Sequence, residues 1–157
     1  MPLDVTVERL IPLPPATVAA YAMDWRHDSE WAGGVRTAAL TREADTGGFG
    51  VGAEVTRTAR FLGRSFSYVL RVARHDPPTV LDLVSVAGPT PMRVTYTFEP
   101  TQAGTFARLR VRGGPRLAGP LMSRRVRAAL TADLRTLADR LGRRPPPAAG
   151  PGPSASR

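Results

Sequence analysis

The sequence contains no cysteine, which excludes disulfides, thiolate zinc sites and a cysteine nucleophile. It has no lysine and no asparagine either, so all 22 basic residues are arginine. With 16 prolines, 15 glycines and abundant alanine, this composition fits the bias of a GC-rich genome. Such bias brings the formal charge to +9 without requiring a selected partner. Only two histidines occur, His27 and His75, and neither has a same-face companion at metal-ligand spacing. A Ser-His-Asp set and a Gly-x-Ser-x-Gly elbow are also missing. No apolar run approaches the roughly 18–20 residues of a spanning helix. The first residues, Met1-Pro2-Leu3-Asp4, lack the basic patch and apolar run of a secretory signal. A cytoplasmic, soluble protein without metal or cofactor is the expectation.

What is present suits one domain, since 157 residues can bury a core without staples. Leu3 to Ile11 alternates as a strand, closed by Pro12. Pro14-Pro15 opens a short helix over Ala16 to Met23, because proline fits a first helical turn. Asp24 to Trp31 reads as a second short helix or turn, ended by Gly33-Gly34. Five or six strands follow, at 35–42, 51–61, 65–73, 79–86, 92–99 and 105–112. Their turns are marked by Gly63, Asp76-Pro77-Pro78, Gly88-Pro89 and Gln102-Ala103-Gly104. Short turns between successive strands imply an antiparallel meander. Met122, Val126, Leu130, Leu134, Leu137 and Leu141 then recur at helical spacing from Pro120 onward.

Charge is unevenly spread. Residues 1–114 hold 13 arginines against 11 carboxylates, whereas residues 115–157 hold nine against Asp133 and Asp139. The partner question therefore concerns the C-terminal segment. Its helix lacks the interleaved aromatics of a nucleic-acid element, so no nucleic acid is expected. A solvated face or transient contact with an anionic membrane remain as readings. Composition places the domain at 1–142 and a disordered Pro/Gly/Ala/Ser-rich tail at 143–157. Nothing speaks to oligomeric state.

The order strand, two short helices, strands, long helix resembles the START-like helix-grip superfamily, also called SRPBCC, in its polyketide cyclase/dehydrase-type branch. The resemblance spans about residues 3–141. It rests on Ile11-Pro-Leu-Pro-Pro-Ala-Thr-Val18, on Asp24-Trp25-Arg26 with Trp31, on Thr97-Phe98-Glu99-Pro100 with Gly104-Thr105, and on Asp133-Leu134 with Leu137. It implies an α+β fold in which a curved antiparallel sheet of six to seven strands wraps a long C-terminal helix. It also implies a cavity between them for a hydrophobic small molecule such as a lipid or polyketide. The superfamily shares no catalytic signature, so the resemblance carries no reaction.

Candidate residues follow from faces that point inward. Val55, Phe66, Leu70, Val94, Leu109, Met122, Val126 and Leu130 would line such a cavity, with Trp31 at its entrance. Polar residues on the same faces are Arg57, Tyr68 and Tyr96, with Asp82 in a strand of ambiguous register. A buried Arg57 requires a partner, either Asp82 or an oxygen of the ligand. With His27 as an acid or base, Arg57, Tyr68 and Tyr96 could stabilise an enolate during cyclisation. The plain alternative has Arg57 reaching the rim and the tyrosines serving as core residues. Gly48-x-Gly50-x-x-Ala53 is a relaxed dinucleotide fingerprint, but an alternating strand follows it where a helix would be needed, so it reads as a flexible loop beside the cavity mouth. Three functions stay open: a carrier of an apolar molecule, a cyclase/aromatase-type enzyme, and a basic interaction protein acting through its last helix.

Overall fold

Seven strands form one antiparallel sheet in the order β1-β7-β6-β5-β4-β3-β2. They are β1 (Leu3–Ile11), β2 (Val35–Arg42), β3 (Glu54–Phe61), β4 (Arg64–Asp76), β5 (Val80–Ala87), β6 (Met92–Thr101) and β7 (Gly104–Gly113). The computed structural model describes residues 2–115 and 118–143. Short connections make β2 to β7 a meander, and β1 pairs with β7, setting Val5 opposite Val111 and Val7 opposite Leu109. Because β1 and β2 occupy opposite edges, the chain between them must cross the sheet. It does so through α1 (Pro15–Ala22), a 3-10 turn (Trp25–His27) and α2 (Asp28–Trp31). Proline at the start of α1 sacrifices no helical hydrogen bond, and the Asp24 carboxylate caps the next turn by accepting from the Arg26 amide.

The inner face of the sheet carries Val5, Val55, Leu70, Val72, Val94, Phe98 and Leu109, all buried. α3 (Pro120–Arg143) lies against β1 and β7. Arg127 of this helix donates to the carbonyl of Thr6 on the edge strand at 2.8 Å, which occupies an edge acceptor that β1 would otherwise present to solvent. The helix is seated unevenly. Leu134, Leu137 and Leu141 are buried, whereas Met122, Val126 and Leu130 in its first half are only half-buried. Phe66, Met92 and Val111, inward-pointing residues at the same end of the sheet, are half-buried as well. These apolar side chains point inward yet keep contact with solvent, so the first half of α3 is seated less tightly on the sheet than the second. Among the described residues no helix is long and apolar enough to cross a membrane.

The structure departs from sequence expectation at three places. β3 begins at Glu54, not Val51, because the glycines before it form turns and leave Val51 exposed. β5 turns Leu81 and Leu83 inward, opposite Tyr96 and Val94, so Asp82 points outward with Val80 and Val84. Two leucines bury far more apolar surface than two valines flanking a carboxylate. Arg143, assigned to the tail by composition, is the last residue of α3, and the rest of that tail lies outside the described residues.

Gly104 closes the β6–β7 turn with φ of +133°, and a Cβ there would run into the carbonyl oxygen of Ile11 and approach Pro12 Cα to 2.8 Å. Gly104→Ala is therefore expected to cost about 2 kcal/mol or more of stability, read as a lower urea midpoint. An unchanged midpoint would mean that the end of β1 can move aside freely.

Candidate functional site

Arg57 sits at the middle of β3 on the concave face, 5 % exposed. Its Nε donates to Oδ2 of Asp28 at 2.9 Å, and Nη2 stands 2.7 Å from the same oxygen as an ion pair. Asp28 is the first residue of α2 and is itself buried. Arg57 Nη2 also donates to the Tyr96 hydroxyl on β6 at 3.3 Å. Tyr68 is the cross-strand partner of Arg57 on β4, and its ring lies 5.7 Å from that of Phe66. The inner face thus runs from the half-buried Phe66 to Tyr68, Arg57 and Tyr96 deeper in.

Burial sets the protonation of this cluster. It pushes the Asp28 carboxyl upward, against the opposing pull of Arg57. It pushes the Tyr96 phenol up to about 12, so Tyr96 is a neutral donor at any physiological pH. Asp133 on α3 joins the group from the opposite wall. Burial raises its carboxyl to about 6, although the Gly33 amide donates to it at 2.9 Å and the Arg57 charge is felt there. Trp31 is fully buried with its ring edge-on to Tyr96 at 5.6 Å. Among the described residues its indole N–H has no acceptor, an uncompensated donor in the core.

A model of the polyketide cyclase / dehydrase and lipid transport family matches residues 2–142. The chain belongs to this family. No curated protein matches it in sequence. Among solved structures it resembles the Zhui aromatase/cyclase from Streptomyces sp. R1128, at 16 % identity over 96 % of this chain and 99 % of that one, with a TM-score of 0.76. A START superfamily protein from Mycobacterium smegmatis matches at 12 % identity, 90 % and 97 % coverage and TM-score 0.74. The TTHA0849 protein from Thermus thermophilus matches at 19 % identity, 88 % and 97 % coverage and TM-score 0.73. At these identities the structural neighbours establish the helix-grip α+β fold of this family member.

Within that fold most residues expected to line the site lie on the two inner walls. Val55, Leu70, Val94 and Leu109 are buried in the sheet, and Met122, Val126 and Leu130 lie on the half-buried stretch of α3. Arg57 does not reach the rim. Its expected pairing with Asp82 does not form, because Asp82 lies on the outer face, bonded to Arg93 and Thr95. Trp31 belongs to the core and does not wall an entrance. His27 stacks on Tyr21, ring centroids 4.4 Å apart, with Nδ1 3.1 Å from the Tyr21 carbonyl oxygen, and makes no hydrogen bond to the Arg57 cluster. Sequence reasoning missed Asp28 and Asp133 as site residues. The one available signal was the need of a buried arginine for a carboxylate, and nothing in the sequence of residues 24–31 singled out Asp28 to meet it.

A concavity of about 630 Å3 opens between α1 and the glycine-rich loop, at the end of the sheet away from the start of α3, and is lined in part by Ala20, Met23, Leu40, Phe49 and Pro78. The glycine-rich loop expected beside a cavity mouth contributes Gly48 and Phe49 to it, whereas the residues expected to line the site do not reach it. Its charged groups, Asp24 and Arg26, are paired with each other at 2.7 Å. The glycine-rich loop beside it leads into β3, so no helix N-terminus faces a phosphate there.

Asp133 generates a pH test. A carboxyl whose folded pKa is raised binds its proton better in the folded state. That contribution is complete below about pH 4 and is lost as pH rises through about 6. Asp133→Asn keeps an acceptor for the Gly33 amide and has no charge to desolvate. Relative to wild type it should gain on the order of 2 kcal/mol in stability between acid and neutral pH, measured by urea unfolding. A difference that stays flat across that range would place Asp133 in water.

Proposed function

We propose that this protein binds a small, largely apolar molecule bearing an acceptor oxygen in a cleft beneath the first half of α3, with the oxygen directed at Arg57 and Tyr96. The observation that carries the reading is a charged guanidinium fixed on the concave face by a single buried carboxylate. A buried ion pair contributes little net stability, so its value lies in presenting fixed donors to a ligand in a low-dielectric space. The surrounding apolar walls supply affinity and the few polar groups supply orientation, the usual division of labour in small-molecule sites. The family description, with its cyclase, dehydrase and lipid-transport members, supports a hydrophobic ligand of this kind.

A second reading, cyclisation of a polyketide-like chain, is favoured by Asp133. A carboxyl held at about 6, within the field of Arg57, is suited to take a proton from carbon next to a carbonyl while Arg57 and Tyr96 hold the developing enolate. The aromatase/cyclase among the structural neighbours is consistent with that chemistry.

The binding reading is tested with matched ligands, 1-tetralone and tetralin, which differ by the carbonyl oxygen. Wild type should bind the ketone roughly tenfold more tightly by isothermal calorimetry, the scale of one or two hydrogen bonds to a charged donor. Tyr96→Phe should reduce that preference roughly fivefold while leaving tetralin affinity nearly unchanged, with a stability loss of about 1–3 kcal/mol because Arg57 loses a buried acceptor. Equal affinity of wild type for the two ligands would refute the assignment.

A further inference from the structure

Three connections lie at the end of the sheet nearest the start of α3: the β3–β4 turn at 62–63, the β5–β6 loop at 88–91, and the chain from β7 into α3. In an antiparallel meander alternate connections fall at one end, so the topology brings these together. Of the five large exposed apolar residues among the described residues, three stand beside these connections: Leu62 at 48 %, Val86 at 43 % and Leu121 at 64 % exposure. Leu10 and Val51, the other two, are at the far end.

Charge divides the same way. No carboxylate occurs at residues 55–75, 83–98 or 100–132, which include all three connections and the first half of α3. Arg60, Arg64, Arg124 and Arg125 are exposed there. Their side chains have no ion-pair partner among the described residues. The far end holds Asp24, Glu43, Asp45, Glu54, Asp76 and Glu99, and its Arg26, Arg71 and Arg74 are paired with Asp24, Glu54 and Asp76. Asp4, near the start of β1 at the same end as the four free arginines, is paired with Arg110 at 2.8 Å. Those arginines therefore leave that apolar end positive, while the other is charge-compensated.

Leu62 adds an independent sign. It has φ of +52° in a two-residue turn with Gly63, a conformation that suits Asn-Gly and disfavours leucine. Nearly half exposed, it returns little to the fold for that strain.

We propose that this end docks on a bilayer containing anionic phospholipid. Leu62, Val86 and Leu121 enter the boundary between headgroups and acyl chains, while Arg60, Arg64, Arg124 and Arg125 pair with lipid phosphates. A purely electrostatic polyanion site would have no use for the three apolar tips, which is why lipid is favoured over nucleic acid. Docking would bring the mouth of the proposed site to the membrane. Its purpose rests on the ligand reading above, but vesicle binding is measured with no ligand present, so the two can fail separately.

The test is co-sedimentation of the full chain with vesicles of phosphatidylcholine alone and of phosphatidylcholine with phosphatidylglycerol. Wild type should bind the anionic vesicles and not the neutral ones. Leu62→Asn with Leu121→Ser should weaken that binding roughly tenfold or more. Leu62→Asn alone should leave the melting temperature equal or higher, which shows that the loss does not come from unfolding. Arg124→Gln with Arg125→Gln should weaken it roughly fivefold per arginine. Failure to bind anionic vesicles would overturn the proposal. So would vesicle binding unaffected by the two leucine substitutions, or tighter binding to duplex DNA than to vesicles that those substitutions leave unchanged.

Discussion

The arrangement turns on Arg57 and Asp28. A guanidinium on the concave face of β3 cannot be deprotonated and cannot reach water, so a carboxylate must come to it. The chain meets that demand with α2, a helix of four residues whose first member is Asp28 and whose last, Trp31, is anchored in the core. The path of the two short helices from one edge of the sheet to the other is thereby tied to the middle of β3. Tyr96 on β6 takes a further hydrogen bond from Arg57, and Asp133 on α3 feels its charge. Sheet, crossing segment and long helix all converge on one side chain.

That convergence falls where α3 changes character. Beyond Asp133 the helix is sealed against the core through Leu134, Leu137 and Leu141. Before it, Met122, Val126 and Leu130 are only half-buried, and the proposed ligand site lies beneath them. The polar cluster lies at the inner limit of the looser part, where a ligand entering between apolar walls would meet its first fixed donors. Sealing one half of the helix supplies stability, and the looser half is where the proposed site lies. The charge-poor, apolar rim at the looser end continues the same division outward.

Much of the fold was legible in the sequence because its signals are local. Alternation set the strands, Pro14-Pro15 and Pro120 marked helix starts, and the Met122-to-Leu141 stripe marked α3. Where two registers compete, as in Leu81-Asp82-Leu83, alternation alone cannot choose, and cross-strand burial against Val94 and Tyr96 decided it. Arg57 stood out as a charge on an apolar face. Its partner did not, because Asp28 lies 29 residues away in a segment with no periodicity to orient it. Asp133 was visible only as part of a helical motif, since the residue that fixes it, Gly33, is distant in the chain and contributes only a backbone amide. Site pairing depends on tertiary geometry in a way that element identity does not.

The central claim is that the Asp28–Arg57 pair serves ligand recognition more than stability, and a stability cycle tests it most directly. Asp28→Leu and Arg57→Met should each lose about 3–5 kcal/mol in urea unfolding, because each leaves the other charge buried alone. The double variant should return to within about 1 kcal/mol of wild type, or exceed it, and should lose its preference for a carbonyl-bearing ligand. A double variant as unstable as either single one would show that the pair is needed to build the fold. A stable double variant that still preferred the ketone would place the oxygen site elsewhere.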